Sequence, residues 1–286
     1  MQELNGKVAL VTGAASGIGA GLVEALAAAG TAIVAADLDT ARLATLAARL
    51  AERGTRHLAC PLDIRDRDGW NAVLDRAERE LGPVQLLFNN AGVTATPAGV
   101  LEQPAEAWDW VIGTNLTGTF NGAQAVAQRL RGRALPGHIV NTSSIQGLFA
   151  SAGFAAYNAA KFGIVGLSET LRLELAPHGI GVSVLCPGPT RTGIMANSAK
   201  LAPHLAQLKG PPRVGYTIYQ TPAQVAAAVL DAVRANRLYV LSHGGYSELL
   251  AARAAAIAAS LPPESAAALA NVREVDAEVL RMYADA

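Results

Sequence analysis

A serine, a tyrosine and a lysine in one short stretch have the spacing needed for proton transfer. Tyr157 follows Ser144 by thirteen positions and precedes Lys161 by four. A helix that begins near Phe154 would place Lys161 beside the Tyr157 phenol, because residues four apart share a helix face. At an effective dielectric of 20, a charge about 5 Å away lowers a phenol pKa by roughly two units, toward neutral pH. The alternative is an ordinary helix that happens to carry a tyrosine and a lysine.

A glycine-rich turn near the start of the chain fits a diphosphate. The β-rich run 7–12 stops at Gly13, and Gly17 and Gly19 follow as a helical pattern begins. Glycines let the backbone approach a phosphate, and the helix offers free N–H groups and the positive end of its dipole. Glycine turns also occur for steric reasons alone. The next predicted strand ends at Asp37, eighteen positions after Gly19, close to the spacing expected of a ribose-binding acid.

The elements that must position these residues alternate along the chain. Strands are predicted at 7–12, 31–36, 55–60, 84–88, 137–143, 181–186 and 237–243. Helices are predicted between them, including a long one at 105–131 and one that starts near Pro222. This alternation favours a parallel sheet covered by helices. Ligands bind such sheets at the carboxyl ends of the strands, so the distant motifs are expected to converge there.

Composition narrows the classes of function. The 286 residues are 51% apolar and 16% charged, and 23 basic residues balance 23 acidic ones, so neither nucleic acid nor an anionic membrane surface is an expected partner. No basic-then-apolar leader precedes the first motif, and charged residues interrupt every apolar segment below membrane-spanning length. We therefore expect a cytoplasmic protein. Cys60 and Cys186 lack CxxC spacing and are expected to be buried free thiols, with no metal site.

These motifs together resemble the short-chain dehydrogenase/reductase family, of the ordinary rather than the extended type, over about residues 5–242. The glycine motif occupies 12–19, and an Asn-Asn-Ala-Gly sequence occupies 89–92. The residues that match the active site of the family are Asn115, Ser144, Tyr157 and Lys161. The resemblance implies an α/β fold of Rossmann type, a doubly wound, seven-stranded parallel sheet with helices on both faces. It further implies a catalytic domain at 1–245. Beyond this domain the chain departs from the family pattern, and a helical C-terminal extension is expected at 246–286.

The resemblance implies hydride transfer between C4 of a nicotinamide and a carbinol or carbonyl carbon. Tyr157 would exchange the proton, and Lys161 would lower the tyrosine pKa and hold the nicotinamide ribose. Ser144 would stabilise charge on the substrate oxygen, with the adjacent Ser143 as its competitor for this role. Asn115 would hold a water that links the lysine to solvent, unless it only makes a local hydrogen bond in its helix.

The resemblance also implies the residues that bind the cofactor. They are Gly13, Ser16, Gly17, Ile18, Gly19, Asp37, Asp63, Ile64, Asn90, Ala91, Gly92, Tyr157, Lys161, Pro187, Gly188, Thr190 and Thr192. A carboxylate at Asp37 can accept both ribose hydroxyls and repels a 2′-phosphate, so the expected cofactor is NAD, with NADP less favoured. Arg42 is either a partner for that phosphate or a solvated surface charge.

The substrate side is expected to be apolar. The resemblance places the lid at about 193–220, which carries no cluster of like charges. This favours a bulky secondary alcohol or ketone, in a pocket lined by Gln146, Leu148, Phe154 and Ile194. The segments DWVIGTNLTG, GHIVNTSS and LYVLSHGGYSELL are similar to the branch that contains the aryl Cα-dehydrogenases. The expected activity is that of an NAD-dependent alcohol dehydrogenase or carbonyl reductase. A catalytically idle NAD(P)-sensing protein is the alternative, which the complete set of four active-site residues disfavours.

Two features concern packing beyond the site. Apolar residues recur at helical spacing through 264–285, so we expect an amphipathic helix that packs on its own subunit or covers the active site of a neighbour. Small side chains at spacings near three and four give the helix of Tyr157 a face that another helix could approach: Ala155, Ala159, Phe162, Gly163 and Gly166. With the family resemblance, this predicts a homotetramer, or a homodimer.

Overall fold

Seven parallel strands form one sheet in the computed structural model, which describes residues 3–207, 219–262 and 277–284. Their order across the sheet is β3-β2-β1-β4-β5-β6-β7. The strands are β1 (Val8–Thr12), β2 (Ala32–Asp37), β3 (His57–Pro61), β4 (Val84–Asn89), β5 (Gly137–Thr142), β6 (Ile180–Leu185) and β7 (Tyr239–Val240). The predicted Rossmann-type, doubly wound sheet is confirmed. The order reverses between β1 and β4, and this is where an open sheet of this kind binds its ligand.

Helices cover both faces of the sheet. They are α1 (Gly17–Ala28), α2 (Thr40–Glu52), α3 (Arg67–Glu80), α4 (Ala105–Ile112), α5 (Gly118–Gly132), α6 (Ala155–Leu175), α7 (Ile194–Leu201), α8 (Pro222–Ala235) and α9 (Ser247–Ala259). Alternate residues of β1 serve the two faces: Ala9 and Val11 pack with α1, α2 and α8, whereas Val8 and Leu10 pack with α3 and α5. Because both faces are buried, the strands are nearly continuous apolar runs.

The predicted long helix over 105–131 is interrupted in the structure. A π-helical turn, Gly113–Thr117, lies between α4 and α5 and contains the buried Asn115. Such turns insert an extra residue into the helical ladder and are frequent at functional sites. Hydrophobic periodicity does not detect this feature, because it changes the local backbone without changing the pattern of apolar residues. The last strand is also shorter than predicted, since only Tyr239–Val240 pairs with β6.

The lid and the tail are described in part. The lid contains α7 and a 3₁₀ turn at Pro203–Gln207, and its residues 208–218 lie outside the described residues. Of the tail helix predicted at 264–285, residues 277–284 are described and helical, and the rest of its apolar stripe lies outside the described residues. Met282 is buried against Ile164 of α6 and Val184 of β6, so this part of the tail packs on its own chain.

Two further findings bear on the sequence expectations. In the described ranges, no helix is long and apolar enough to cross a membrane. Cys60 and Cys186 are both buried and unpaired, as expected.

Candidate active site

The first turns of α6 bring Tyr157 and Lys161 onto one face. The lysine Nζ lies 5.4 Å from the centre of the tyrosine ring. The same nitrogen donates a hydrogen bond of 2.9 Å to the carbonyl oxygen of Thr142, the last residue of β5. The predicted juxtaposition is therefore present, but the ammonium lies over the ring and is anchored to the end of the sheet.

The two adjacent serines have different partners. Ser144 lies beside the Tyr157 phenol and acts to lower the pKa of that group, and its oxygen accepts a hydrogen bond of 3.1 Å from the N–H of Gln146. The hydroxyl of Ser143 instead donates to the backbone carbonyl of Lys161, at 2.8 Å. Ser143 thus fastens the loop to α6, while Ser144 faces the phenol. The thirteen-residue spacing selected the serine that lies next to Tyr157.

The expectation that Lys161 holds the Tyr157 pKa near neutral is not met in the structure. Burial raises the pKa of Tyr157 to about 12, and the hydrogen bond with Ser144 opposes this rise without cancelling it. Burial also lowers the pKa of Lys161 to about 8. The cost of removing both charged forms from water is larger here than the attraction between the two groups, and residue spacing does not show this cost.

Asn115 holds the loop that follows β4. Its carbonyl oxygen accepts a hydrogen bond from the N–H of Val93, and its amide donates to the carbonyl of the same residue, both at 2.8 Å. A methyl group added at Gly92 would lie 3.1 Å from Asn115 Oδ1 and 3.7 Å from Lys161 Nζ, so the three residues adjoin. The side chain therefore bonds across to another element, which differs from the local helix contact considered above.

The turn between β1 and α1 has the features needed to hold a diphosphate. Gly13 has φ 64° and Gly17 has φ 53°, conformations that favour glycine. A methyl group at Gly13 would lie 2.9 Å from Cα of Ala91, and one at Gly19 would collide with the carbonyl of Gly13. In this described turn the Ser16 side chain makes no capping hydrogen bond to α1, which leaves the first N–H groups of the helix to an anion. The residues present fit a dinucleotide.

A cleft of about 640 Å³ joins this turn to Tyr157 and Lys161. Gly13, Ser16, Gly17 and Ile18 line one side, and Tyr157, Lys161, Pro187, Thr192 and Ile194 line the other. Asn90, Ala91 and Gly92 form its floor. Asn90 also donates to the carbonyl of Thr12 at 3.0 Å, so its amide stabilises the turn. Of the predicted cofactor residues, Gly19, Gly188 and Thr190 lie behind this lining, where Gly188 packs under His243.

A second cleft of about 800 Å³ continues from Gly13 toward the end of β2. Asp37, Asp63 and Ile64 line it, as expected for the adenosine end. Asp37 also accepts hydrogen bonds from the N–H groups of Ala15, at 2.9 Å, and Asp39, at 3.0 Å. The carboxylate therefore helps to shape the glycine turn and keeps two of its about four lone-pair sites for a ligand.

The guanidinium of Arg65 is the unexpected neighbour of Asp63. It lies 2.6 Å from the Asp63 carboxylate and holds the pKa of that carboxyl below its usual range.

Arg42 is more than a solvated charge, because it pairs with Asp39 at 3.4 Å and donates to Asn197 at 3.0 Å.

The four residues predicted to line the substrate pocket make different kinds of contact. Ile194 lines the catalytic cleft, and the ring of Phe154 meets that of Tyr157 edge to face at 6.4 Å. Gln146 donates to the hydroxyl of Ser151 at 2.6 Å. Leu148 packs with the cluster that contains Met282, away from the cleft. Its position in sequence, four residues after Ser144, did not reveal that the intervening 3₁₀ turn directs it to the core.

Sequence reasoning also missed residues that the structure places at the cleft. Asn197 lines both clefts, and Thr114 lines the adenosine end. Thr12 accepts hydrogen bonds from the N–H groups of Asn90 and Ala91, both at 3.0 Å. The register of α7 could have indicated Asn197, but only once the start of that helix was known. Among the described residues, no group of three His, Cys, Asp or Glu side chains could hold a metal ion.

Residues 7–202 match the family described as short chain dehydrogenase. The chain belongs to the short-chain dehydrogenase family. Its members are oxidoreductases that use a nicotinamide cofactor, which agrees with the cleft described above. One relative is 3beta-hydroxysteroid dehydrogenase 2 of Eggerthella lenta, 32% identical over 79% of this chain and 86% of that protein. Another is C alpha-dehydrogenase of a Sphingobium species, 33% identical over 92% of this chain and 89% of that protein, which supports the narrower resemblance.

Solved structures agree on the fold. A short-chain dehydrogenase/reductase of Burkholderia phymatum in complex with NAD superposes with a TM-score of 0.83, at 31% identity over 93% of this chain and 99% of that one. A short-chain dehydrogenase of Sphingobium yanoikuyae in complex with NADPH superposes with a TM-score of 0.73, at 29% identity over 91% of this chain and 98% of that one. Short-chain dehydrogenases of this fold thus occur with either dinucleotide.

Proposed function

We propose that this protein is an NAD-dependent alcohol dehydrogenase or carbonyl reductase that acts on a secondary alcohol or ketone. The observation that carries the proposal is one cleft that Tyr157, Lys161 and the glycine turn line together, with Ser144 beside the phenol. When bound, a nicotinamide would accept hydride from a carbinol carbon or supply it to a carbonyl carbon. Every other step of the reaction is carried out by side chains of the protein.

Tyr157 holds the proton at its phenolic oxygen. Its raised pKa keeps it protonated at neutral pH, so it is ready to donate to a carbonyl oxygen during reduction. During oxidation it has to accept the alcohol proton, and the adjacent Lys161 charge and Ser144 hydroxyl stabilise the phenolate. Asn115, through Val93, keeps the loop at Gly92 in place beside the lysine.

NAD is the proposed cofactor, because Asp37 faces the adenosine end of the cleft with a carboxylate that disfavours a 2′-phosphate. The proposed substrate is bulky and mostly apolar, since Ile194 and Phe154 border the reacting residues. The steroid and Cα-dehydrogenase names of two relatives support this class. A cytoplasmic location, a homotetramer or homodimer, and a boundary at residue 245 between the catalytic domain and the C-terminal extension complete the proposal.

A substrate screen tests this function directly. Purified protein would be offered aryl, alicyclic and steroidal secondary alcohols with NAD⁺ or NADP⁺, and the corresponding ketones with NADH or NADPH, while absorbance of the reduced cofactor is followed. We expect turnover of at least one apolar class, faster with NAD(H). Tight NADH binding without turnover of any class would contradict the enzyme and favour a cofactor sensor.

A further inference from the structure

Asn197 of α7 lines both clefts and bonds to two other elements. Its amide nitrogen donates a hydrogen bond of 3.2 Å to the Ser16 hydroxyl oxygen, and its carbonyl oxygen accepts one of 3.0 Å from the Arg42 guanidinium. The residue lines both the cleft that holds Tyr157 and the cleft that holds Asp37. One half-buried carboxamide therefore joins the lid to the glycine turn and to α2.

Both partners of Asn197 are held in place by their own elements. Ser16 is the residue before α1, and within the described turn its hydroxyl is not used to cap that helix, so its oxygen is available to α7. Arg42 is fixed by the Asp39 carboxylate at 3.4 Å, and the same carboxylate caps α2 by accepting the Arg42 N–H at 3.0 Å. The contacts of Asn197 thus connect α7 to the residue before α1 and to α2.

Ser198, the residue after Asn197, attaches α7 to another part of the protein. The buried Ser198 hydroxyl accepts a hydrogen bond of 3.0 Å from the N–H of Thr94, in the loop after β4. Loss of the Asn197 contacts would free the edge of α7 over the cofactor cleft while Ser198 keeps the helix attached to the protein. The helix can therefore open on the cofactor side without unfolding.

We propose that Asn197 is a cofactor-retaining residue, and that Ser16, Asn197 and Arg42 form a clasp that must open before a dinucleotide leaves the cleft. A ligand that fills both clefts has to pass between α7 and the glycine turn, where Asn197 makes the crossing. The inference rests on the proposed function only in taking a dinucleotide as the ligand. It assigns Asn197 no part in hydride or proton transfer.

Release of NADH, followed by stopped-flow fluorescence while excess NAD⁺ displaces it, tests the clasp. We expect Asn197→Ala to raise the dissociation rate constant by about tenfold, because two hydrogen bonds are lost and one of them is charge-assisted. Lys200→Ala, on the same helix, is the matched control and should match the wild type.

A double-mutant cycle of Asn197 and Arg42 tests whether the two residues act together, as a clasp requires, or independently. Once Arg42→Ala has removed one end, Asn197→Ala should accelerate release by clearly less than it does alone. In the ligand-free protein, amide exchange over residues 194–201 should be faster in Asn197→Ala than in Lys200→Ala. Unchanged release, fully additive effects or unchanged exchange would each overturn the clasp. Failure of the wild type to bind NADH or NADPH would overturn both this inference and the proposed function, whereas normal binding with unchanged release would overturn this inference alone.

Discussion

The Lys161 ammonium lies over the ring of Tyr157, 5.4 Å from its centre, and its hydrogen bond goes to the carbonyl of Thr142. The lysine is thereby held at the end of β5, and it acts on the tyrosine through space and through the face of the ring. Because both groups are buried, the proton is held tightly by the tyrosine and loosely by the lysine. The protonation of Lys161 is therefore expected to limit activity at alkaline pH.

The pH dependence of ketone reduction tests this expectation. The pKa of Lys161 is lowered to about 8, so the amine is charged below that pH and neutral above it. We expect kcat/KM for reduction to fall as pH rises through about 8, because the phenolate left after proton donation loses its neighbouring charge. Lys161→Arg is the control, since a guanidinium stays charged and should move the decline to higher pH. Identical profiles in the two proteins would exclude Lys161 as the titrating group.

Substitutions of Asn115 and of its neighbour Thr114 form a matched pair that tests what the Asn115 side chain contributes to stability. The Asn115 side chain satisfies both backbone groups of Val93, whereas the buried Thr114 hydroxyl has no hydrogen-bond partner among the described residues. Asn115→Ala should lower the free energy of unfolding by roughly 2–4 kcal/mol, as two buried polar groups lose their partners. Thr114→Val should change it by less than about 0.5 kcal/mol. Urea denaturation of both variants measures the difference, and equal losses would show that the Val93 contacts do not stabilise the fold.

The sequence predicted the sheet and the closeness of Tyr157 and Lys161 for a simple physical reason. Strand alternation and the i to i+4 spacing of Tyr157 and Lys161 depend on local backbone geometry, which residue types and spacings encode. The family resemblance added the residues of the glycine turn. These parts of the structure agree with the predictions because one element, or two consecutive elements, determines each of them.

Features that depend on contacts between distant elements were not predictable. Asn115, in the π-helical turn, bonds to Val93, 22 residues earlier, and the contact of Asn197 with Ser16 spans 181 residues. The sign of the Tyr157 pKa shift depends on burial, which spacing does not give. The packing of Leu148 against the cluster that contains Met282 of the C-terminal tail is likewise a contact between distant parts of the chain.

Cofactor choice is expected to depend on the Asp37 charge. At about 4 Å and an effective dielectric near 20, a like-charge pair costs roughly 4 kcal/mol before solvent screening, so NAD should be preferred by about 10²-fold or more. Asp37→Ala should lower kcat/KM with NAD and raise kcat/KM with NADP, so the ratio between the two cofactors should become smaller. Asp37→Asn keeps the size and the acceptor for the Ala15 N–H, and it should also narrow the ratio with less damage to the turn. A wild type that uses NADP as efficiently as NAD would contradict this role of Asp37. Arg42 would then have to be considered as a partner for the 2′-phosphate.

The outer face of α6 is expected to meet a second copy of the chain. Gly166 is exposed, and a methyl group added there would meet no atom of the described chain within 4 Å. Gly166→Glu should therefore shift the wild-type tetramer or dimer toward smaller species without unfolding the subunit. Gly132→Glu, at an equally open glycine at the end of α5, is the control. Sedimentation velocity measures both, and a wild type that is monomeric at micromolar concentration would contradict the oligomer.

The proton-transfer role of Tyr157 is the central claim, and Tyr157→Phe tests it most directly. The variant keeps the aromatic ring under Lys161 and removes only the phenolic oxygen, which lies beside Ser144. The turnover rate is measured on a substrate found by the screen, together with the NADH dissociation constant of the same preparation. We predict that turnover falls by about 10²- to 10⁴-fold, the usual contribution of general acid–base catalysis, while NADH affinity stays within a few-fold of the wild type. A variant that binds NADH normally and keeps more than about a tenth of the wild-type turnover would contradict the account.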